Sequence, residues 1–279
     1  MSGETLVWLD GQPSTALPLP DRGLEFGDGL FETLLVRDGA ALYRDAHLLR
    51  LQRGIAALYF PACLPFVERC LQVACDDIHG RGPGWMALRL TLTRGSAPRG
   101  YAPPPECTPR VLIQAVPLAR DPAQMMPPAS LGRATIALAS QPALAGLKHL
   151  NRLEQVLAAR EAREQGVDEV VLCGQAGQVV GVAAGNLFLL LDDTLVTPPV
   201  DACGVAGTRR ALLMERWAPT AGVSVREATV SLDDLARARE VFFSNALIGL
   251  RPVERIGDQR WVEHQLCNTL FGIYRGDAA

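Results

Sequence analysis

The sequence predicts an α+β fold, with mixed α and β elements, arranged in two domains. Three observations support this prediction. The chain has 279 residues and is 48% hydrophobic, so it is long for one domain and apolar enough to fill a sizeable core. Short strand patterns alternate with single helix patterns, without an internal repeat. A proline-rich segment interrupts the middle of the chain, where a domain boundary is expected.

The proline-rich segment sets the predicted domain boundary. Nine of the 20 prolines fall between Pro98 and Pro128. A strand pattern over residues 111–116 divides this stretch, so the linker is predicted over residues 118–128. Residues 1–117 then form a small N-terminal α+β domain, and residues 129–279 form a larger C-terminal domain with a mixed sheet or barrel.

The first domain contains strand and helix patterns in alternation. Strands are predicted at residues 5–9, 31–36, 41–43, 85–93 and 111–116. Asp38-Gly39 is a typical hairpin turn. Apolar residues spaced three and four apart predict a helix from an Asp45 N-cap to about residue 59, and a second helix covers residues 64–78. In the strand at 85–93, Arg89 lies on the face opposite to its leucines.

The second domain begins with a strand near residues 134–139, followed by a loop and a helix over about residues 150–164. Further strands are predicted at residues 169–173, 178–180 and 186–191. A helix opens at Gly207-Thr208, and Ser231 before two acidic residues is typical of an N-cap. Short strands separated by single helices favour a mixed or antiparallel sheet. No G-x-G-x-x-G motif follows a strand, which disfavours a nicotinamide-binding Rossmann domain.

Charge and composition exclude several classes of partner. The net charge of −3 gives no positive field that would attract nucleic acid or an anionic membrane surface. The longest aliphatic or aromatic run, residues 187–191, is far shorter than the ~18 residues of a membrane span. Four isolated histidines lack metal-ligand spacing, so no metal is expected. Seven scattered cysteines and an acidic N-terminus without a signal-peptide pattern predict a reduced, cytoplasmic protein.

The basic residues are unusually divided between two types. Of 27 Lys and Arg residues, one is lysine, Lys148. Any step that needs a side-chain amine, such as a Schiff base or a desolvated general base, therefore depends on Lys148. The alternative is codon bias in a GC-rich genome that left one lysine by chance. The position of Lys148 between a strand and a helix favours the catalytic interpretation.

Seven sequence blocks, in order over nearly the whole chain, resemble a known family. The blocks are DRGLEFGDGLFET (21–33), AHLLRL (46–51), RGSAPRGY (94–101), GLKHLNRLEQVL (146–157), AAGNLF (183–188), GVAGTRR (204–210) and SNAL (244–247). Together they resemble the class IV pyridoxal-phosphate enzymes of fold-type IV, which are similar to D-amino-acid aminotransferase. Within that class the chain most resembles the 4-amino-4-deoxychorismate lyases. The resemblance implies a homodimer that binds a small-molecule substrate.

The resemblance implies roles for particular residues. Lys148 would bind pyridoxal 5'-phosphate covalently as an aldimine. Arg50 would bind its phosphate, although three arginines on one helix can also form a solvated basic face. The segment Gly207-Thr208-Arg209 would complete the phosphate site, although a helix start with a Thr cap is the simpler structural alternative. Asn186 is interpreted as structural.

The remaining assignments concern the lyase subgroup. Asn245 matches the lyases better than the aminotransferases and is assigned to the cofactor site. Arg99 would bind a substrate carboxylate, or is a loop charge beside a proline. Thr33 is expected near the substrate pocket, without an assigned role.

One position departs from the family pattern. The resemblance implies a glutamate five residues before Asn186, facing the pyridine nitrogen, but Gly181 occupies that position and no acid occurs between Glu169 and Asp192. A carboxylate there would keep the ring cationic and make it a strong electron sink. We expect its loss to impair transamination more than elimination, because a neighbouring leaving group discharges the carbanion directly.

The resemblance therefore implies a lyase that converts 4-amino-4-deoxychorismate to 4-aminobenzoate and pyruvate, a step of folate biosynthesis. The expected route is aldimine formation, removal of the α proton and β-elimination. One alternative is an aminotransferase of the same class that acts on D-amino or branched-chain acids. Another is a degenerate homologue that keeps the fold, with weakened activity or a binding role, because Gly181 replaces the glutamate.

Overall fold

The structure, a computed structural model, describes residues 5–277 and divides into two compact units. Unit 1 comprises residues 5–121 together with Leu147–Asn151, and unit 2 comprises Pro122–Gly146 and residues 152–277. The boundary at Asp121 and Pro122 lies inside the proline-rich segment, whose residues 118–128 form no helix or strand. The mixture of helices and strands in both units confirms the predicted α+β class.

Unit 1 contains a six-stranded antiparallel sheet in the order β2-β1-β6-β5-β3-β4. Its strands are β1 (Leu6–Leu9), β2 (Gln12–Pro13), β3 (Gly29–Arg37), β4 (Ala40–Ala41), β5 (Trp85–Thr93) and β6 (Arg110–Pro117). Its helices are α1 (Arg22–Phe26), α2 (Arg44–Ala57) and α3 (Leu64–Gly80). The predicted hairpin turn at Asp38-Gly39 is confirmed, because Arg37 pairs with Ala40.

One face of this sheet is covered by α2 and α3. Alternate residues of β3, such as Leu30 and Leu34, pack in one core with Leu51 of α2 and Leu71 of α3. Successive side chains of a strand point to opposite faces, so the residues between them lie on the face away from these helices. Phe31 is one of these residues, and the face that carries it is called the second face below.

Several details of unit 1 differ from the prediction. The strand predicted at residues 41–43 is wrong beyond Ala41, because β4 comprises only Ala40–Ala41 and a turn follows it. The predicted N-cap Asp45 is wrong: α2 begins at Arg44 after Tyr43, and Asp45 lies in its first turn, where a carboxylate stabilises the positive end of the helix dipole. The helix ends at Ala57, before the predicted residue 59. The sequence also does not predict α1, which is only five residues long and is capped by Asp21 through the amides of Gly23 and Leu24.

Unit 2 contains a nine-stranded mixed sheet in the order β12-β11-β10-β13-β14-β7-β8-β9, with β15 paired to β14. Its strands are β7 (Ala129–Leu138), β8 (Glu169–Gly174), β9 (Val179–Val182), β10 (Asn186–Leu191), β11 (Thr194–Thr197), β12 (Ser224–Glu227), β13 (Glu240–Asn245), β14 (Gly249–Ile256) and β15 (Gln259–Arg260). The parallel pairs are β7–β8, β7–β14 and β11–β12, and the other pairs are antiparallel. The predicted mixed sheet is confirmed.

The helices of unit 2 are α4 (Leu153–Gln165), α5 (Thr208–Leu212), which continues as a π turn (Leu213–Trp217) into α6 (Ala218–Thr220), α7 (Leu232–Arg237) and α8 (Gln265–Asp277). The helix start at Thr208 and the Ser231 cap of α7 are confirmed. The prediction that α4 begins at residue 150 is wrong by three residues, because Leu150 instead donates its amide to the β3 carbonyl of Gly29. Among residues 5–277, no helix is both long and apolar enough to cross a membrane.

Candidate active site

Lys148 is held in an extended segment beside β3. The Phe31 amide donates to the Lys148 carbonyl (2.9 Å), and His149 forms an antiparallel bridge with Leu30. At the end of the segment, Asn151 donates from its amide group to the Gly27 carbonyl (3.2 Å). These contacts fix the main chain on both sides of Lys148, whose side chain is half-buried. An amine in this setting is positioned by the fold rather than left on a mobile surface arm.

The second face of the unit 1 sheet brings Lys148 close to a second cation. Lys148 Nζ lies 4.3 Å from the centroid of the Phe31 ring, and the guanidinium carbon of Arg89 lies 4.0 Å from the same centroid. Arg89 is also the Cα partner of Thr33 in the β3–β5 pairing. The structure therefore brings together two of the predicted residues, Lys148 and Thr33, beside Arg89. Two cations around one aromatic ring make this face attractive to carboxylates.

Arg89 has no role in the predicted site. The alternation of side chains along residues 85–93 could have identified Arg89, because it places this residue on the strand face opposite to the buried Leu88 and Leu90. An exposed cation on a strand is ordinary by itself. The contact with the ring that also meets Lys148 is what distinguishes Arg89, and this contact depends on the tertiary structure.

Arg50 is part of a buried charge cluster on α2 and β3. Its Nε and Nη2 donate to the two carboxylate oxygens of Glu32 at 2.8 and 2.5 Å. His47 Nδ1 lies 2.6 Å from Glu32 Oε2. Burial opposes the ionisation of Glu32, but the Arg50 guanidinium and His47 outweigh it and lower the pKa of this carboxyl to about 2. Arg50 is therefore a rigidly oriented cation, and not part of a solvated basic face.

Arg99 lies in the long loop that follows β5 in unit 1. It is exposed and belongs to residues 94–109, which form no helix or strand. The segment starts where β5 ends, so the strand that carries Arg89 also leads into the loop that carries Arg99. Its predicted role as a carboxylate ligand stays a prediction.

In unit 2, no side chain within residues 5–277 caps the N-terminus of α5. Gly207 is the N-cap residue of α5 and has an extended backbone. A Cβ at Gly207 would overlap with Asn186 Oδ1, and Asn186 in turn donates from Nδ2 to the Val205 carbonyl (2.9 Å). Asn186 thus supports the segment before α5, as predicted for a structural residue. The first-turn N–H groups at Thr208 and Arg209 suit an anion.

Two other predicted cofactor ligands make hydrogen bonds within unit 2. Arg209 is buried and donates from Nη2 to the Ala246 carbonyl (3.1 Å). Asn245 Oδ1 accepts from the amides of Leu247 and Ile248, both at 3.0 Å, and its Nδ2 donates to the Ala184 carbonyl (3.2 Å). Arg209 and Asn245 therefore connect the start of α5, the turn after β13 and the turn before β10. The sequence does not predict these structural bonds.

Gly181 lies buried in β9, close to the backbone of the following turn. Val182 and Gly185 exchange hydrogen bonds, with the Val182 amide 3.0 Å from the Gly185 carbonyl. A Cβ built on Gly181 would lie 2.8 Å from that same carbonyl oxygen. A side chain at position 181 therefore requires a shift of the turn. The missing acid is thus accompanied by a backbone arrangement that closes this position to larger residues.

Comparisons with known proteins agree with this organisation. Residues 29–256 match the family described as Amino-transferase class IV. Aminodeoxychorismate lyase of Vibrio harveyi is 32% identical over 90% of this chain and 91% of its own. The crystal structure of 4-amino-4-deoxychorismate lyase from Pseudomonas aeruginosa is 41% identical, with a TM-score of 0.90, and covers 98% of this chain and 99% of its own.

A further relative has a different activity in its name. D-alanine aminotransferase of Bacillus licheniformis is 27% identical over 88% of this chain and 84% of its own. Lyases and aminotransferases thus share this sequence pattern over most of their lengths. The match to the family and the similarity to the lyases show that the chain belongs to the class IV aminotransferase family, whose members depend on pyridoxal 5'-phosphate.

Proposed function

We propose that the protein is a lyase that converts 4-amino-4-deoxychorismate to 4-aminobenzoate and pyruvate. The observation that carries the proposal is the setting of Lys148. The one lysine of the chain is fixed by its main chain on β3 and shares the Phe31 ring with Arg89. An amine for the cofactor and a cation for an acidic substrate therefore lie on one face. The 41% identity with the lyase of Pseudomonas aeruginosa supports the same substrate.

The residues fit the two reactive ends of pyridoxal 5'-phosphate. The cofactor carries an aldehyde, which needs an amine, and a phosphate dianion, which needs N–H donors and cations. We assign the aldehyde to Lys148. Within unit 2, the amides of Thr208 and Arg209 after Gly207, where a Cβ would displace Asn186, suit the phosphate. Within unit 1, Arg50, which Glu32 orients, is a candidate phosphate ligand. The bound cofactor supplies the electron sink for negative charge at the substrate carbon that carries the amine.

The residues of the chain move the protons. The Lys148 amine would accept the proton from the substrate carbon that carries the nitrogen. The resulting Lys148 ammonium returns a proton to the ether oxygen as the neighbouring carbon–oxygen bond breaks. The ring becomes aromatic and the enolpyruvyl group leaves as pyruvate, so atoms and electrons balance. Arg89 and Arg99 bind carboxylates of the substrate, and Thr33 lines the same face.

Transamination is the second candidate, because the chain is also similar to a D-alanine aminotransferase. It requires a long-lived carbanion that is reprotonated on the cofactor. No carboxylate stands at position 181 to keep the cofactor ring cationic, and the Gly185 carbonyl closes the space beside it. Elimination tolerates this loss better, since expulsion of the leaving group consumes the carbanion. Gly181 therefore favours the lyase.

The test is an assay of the purified, cofactor-loaded protein with freshly generated 4-amino-4-deoxychorismate. Pyruvate and 4-aminobenzoate are followed together, and we expect equal amounts of both. Amine exchange that depends on a keto acid, without 4-aminobenzoate, would identify an aminotransferase instead. No turnover and no absorbance band of bound cofactor would identify a binding protein that keeps only the fold.

We also propose a homodimer and a cytoplasmic location. An exposed apolar stripe on α4, formed by Leu153, Val156 and Leu157 at helical spacing, supports self-association. The side chains are 77%, 60% and 46% exposed in the single chain. The seven cysteines are all free thiols, which suits a reducing compartment.

A further inference from the structure

Arg22, the first residue of α1, is a buried arginine whose three nitrogens are all used within unit 1. Its Nε donates to Asp28 Oδ2 (2.8 Å), its Nη1 donates to the Gly100 carbonyl (2.9 Å), and its Nη2 donates to the Tyr101 carbonyl (2.7 Å). Its side chain is only 4% exposed. A buried guanidinium with one carboxylate and two carbonyl acceptors is a strong, directional anchor.

The anchored carbonyls belong to the residues that directly follow Arg99. Gly100 has a φ of +122°, a backbone conformation that residues with a Cβ rarely adopt. The ring of Tyr101 lies 5.4 Å from that of Phe26, and the Arg22 guanidinium lies 4.9 Å from the Phe26 centroid. A glycine turn, an aromatic contact and two charged hydrogen bonds therefore converge on the two residues after Arg99.

A second buried arginine uses the same carboxylate and provides an internal comparison. Arg94 Nε donates to Asp28 Oδ2 (2.8 Å), and its other nitrogens donate to the carbonyls of Leu58 (2.7 Å) and Tyr59 (3.1 Å). Arg94 thus has the same number and type of acceptors as Arg22. Arg94 is itself the first residue of the loop that carries Arg99, but its carbonyl acceptors lie at the end of α2, so it anchors the start of the loop and not the two residues after Arg99.

We propose that Arg22 is a positioning residue that holds the Arg99 loop in the conformation that receives the substrate carboxylate. Residues 94–109 form no helix or strand, and a further anchor of this loop, the hydrogen bond from Ser96 Oγ to the Pro20 carbonyl (2.7 Å), lies before Arg99. Fixing the backbone of a loop residue costs conformational entropy. Arg22 removes part of that cost from substrate binding, because the loop beside Arg99 is already ordered. The inference rests on the proposed function through the role of Arg99.

The experiment compares Arg22→Lys with the matched control Arg94→Lys. Lysine retains the positive charge beside Asp28, but it cannot bind a carboxylate and two carbonyls in the planar geometry of arginine. The first readout is early tryptic cleavage of the Arg99–Gly100 bond, followed by mass spectrometry, which needs no substrate. The second is the steady-state kinetics of the cofactor-loaded enzyme with 4-amino-4-deoxychorismate. Thermal midpoints measure the loss of stability in both variants.

For Arg22→Lys we expect cleavage after Arg99 to accelerate about tenfold, as expected for the loss of one charged hydrogen bond. We expect KM to rise by a similar factor while kcat stays within about twofold. Arg94→Lys should lower the thermal midpoint comparably, with wild-type cleavage at Arg99 and a wild-type KM.

Two results would overturn the inference: wild-type cleavage and KM in Arg22→Lys, or equal changes of both in the two variants. Faster cleavage in Arg22→Lys, with no turnover of 4-amino-4-deoxychorismate by the wild type, would show that Arg22 anchors the loop but that the proposed lyase function is wrong. A failure of the lyase proposal can therefore be told apart from a failure of the inference about Arg22.

Discussion

At the scale of single residues, Lys148 permits an unusually clean chemical test. Because the sequence has no other lysine, reduction of the cofactor-loaded protein with borohydride should attach one cofactor to one side chain. We expect peptide mapping to place the added mass at Lys148. Lys148→Arg keeps the charge but cannot attach the cofactor covalently, so the added mass and the absorbance band of the bound cofactor should both be lost.

Attachment at the N-terminal amine alone, or retention of the absorbance band in Lys148→Arg, would contradict this assignment. The test is independent of the substrate, so it examines the cofactor site even if the protein acts on a different amine.

Glu32 predicts a second single-residue effect, on stability against pH. Its pKa is lowered from an ordinary 4.5 to about 2, so its contribution is fully present above about pH 4.5 and is lost as the pH falls toward 2. Glu32→Gln leaves Arg50 without its buried counter-charge. We expect a loss of about 3 kcal/mol in unfolding free energy at pH 7.

Chemical denaturation of wild type and Glu32→Gln between pH 7 and pH 3 measures this effect. The difference between the two proteins should shrink as the pH falls. Glu25→Gln, at an exposed site of α1, is the control and should change stability by less than about 0.5 kcal/mol. A gap between wild type and Glu32→Gln that stays constant down to pH 3 would show that the carboxylate charge is not what stabilises the cluster.

At the scale of elements, the contact between the first residue of β10 and the start of α5 supports the proposed anion site. Gly207→Ala would push its Cβ into Asn186 Oδ1, and Asn186 would then lose its bond to the Val205 carbonyl. We expect the first turn of α5 to shift and the dissociation constant of pyridoxal 5'-phosphate to rise about tenfold, as for the loss of about 1.4 kcal/mol. Fluorescence or absorbance titration of the apoprotein measures this change.

Gly272→Ala is the matched control in the same unit. Gly272 lies in α8, and a Cβ there would meet nothing within 4 Å. Alanine should stabilise that helix by up to about 1 kcal/mol and leave the affinity for the cofactor unchanged. Equal dissociation constants of pyridoxal 5'-phosphate for Gly207→Ala and wild type would show that the start of α5 does not bind the phosphate.

At the scale of the whole molecule, the apolar stripe on α4 predicts self-association. We expect light scattering to give twice the chain mass of 30.0 kDa. Val156→Glu places a charge in the stripe and should shift the mass toward a single chain, because an unpaired charge is costly to bury. Val262→Glu is the control, since Val262 is 90% exposed and lies outside the stripe. A single-chain mass for the wild type, or dimerisation unaffected by Val156→Glu, would contradict the proposal.

Local patterns predicted the longer elements well. The predicted bounds of the strands at 85–93 and 186–191 are those of the structure, because alternation of apolar and other side chains defines the first strand and a continuous apolar run defines the second. The five-residue α1 was not predicted, since its one turn is stabilised by Asp21 and by contacts of Arg22 with distant residues. The start of α4 was placed too early, because residues 148–150 have helix-compatible side chains but pair with β3.

Composition alone shows which side chain can act as an amine, since Lys148 has no competitor, and the order of the sequence blocks identifies the family. What surrounds those residues depends on the tertiary structure. Arg50 pairs with Glu32, 18 positions away, and Arg89 meets the Phe31 ring that Lys148 also contacts. These partners come together because strand pairing and helix packing bring distant residues to one face, and no local pattern encodes that geometry.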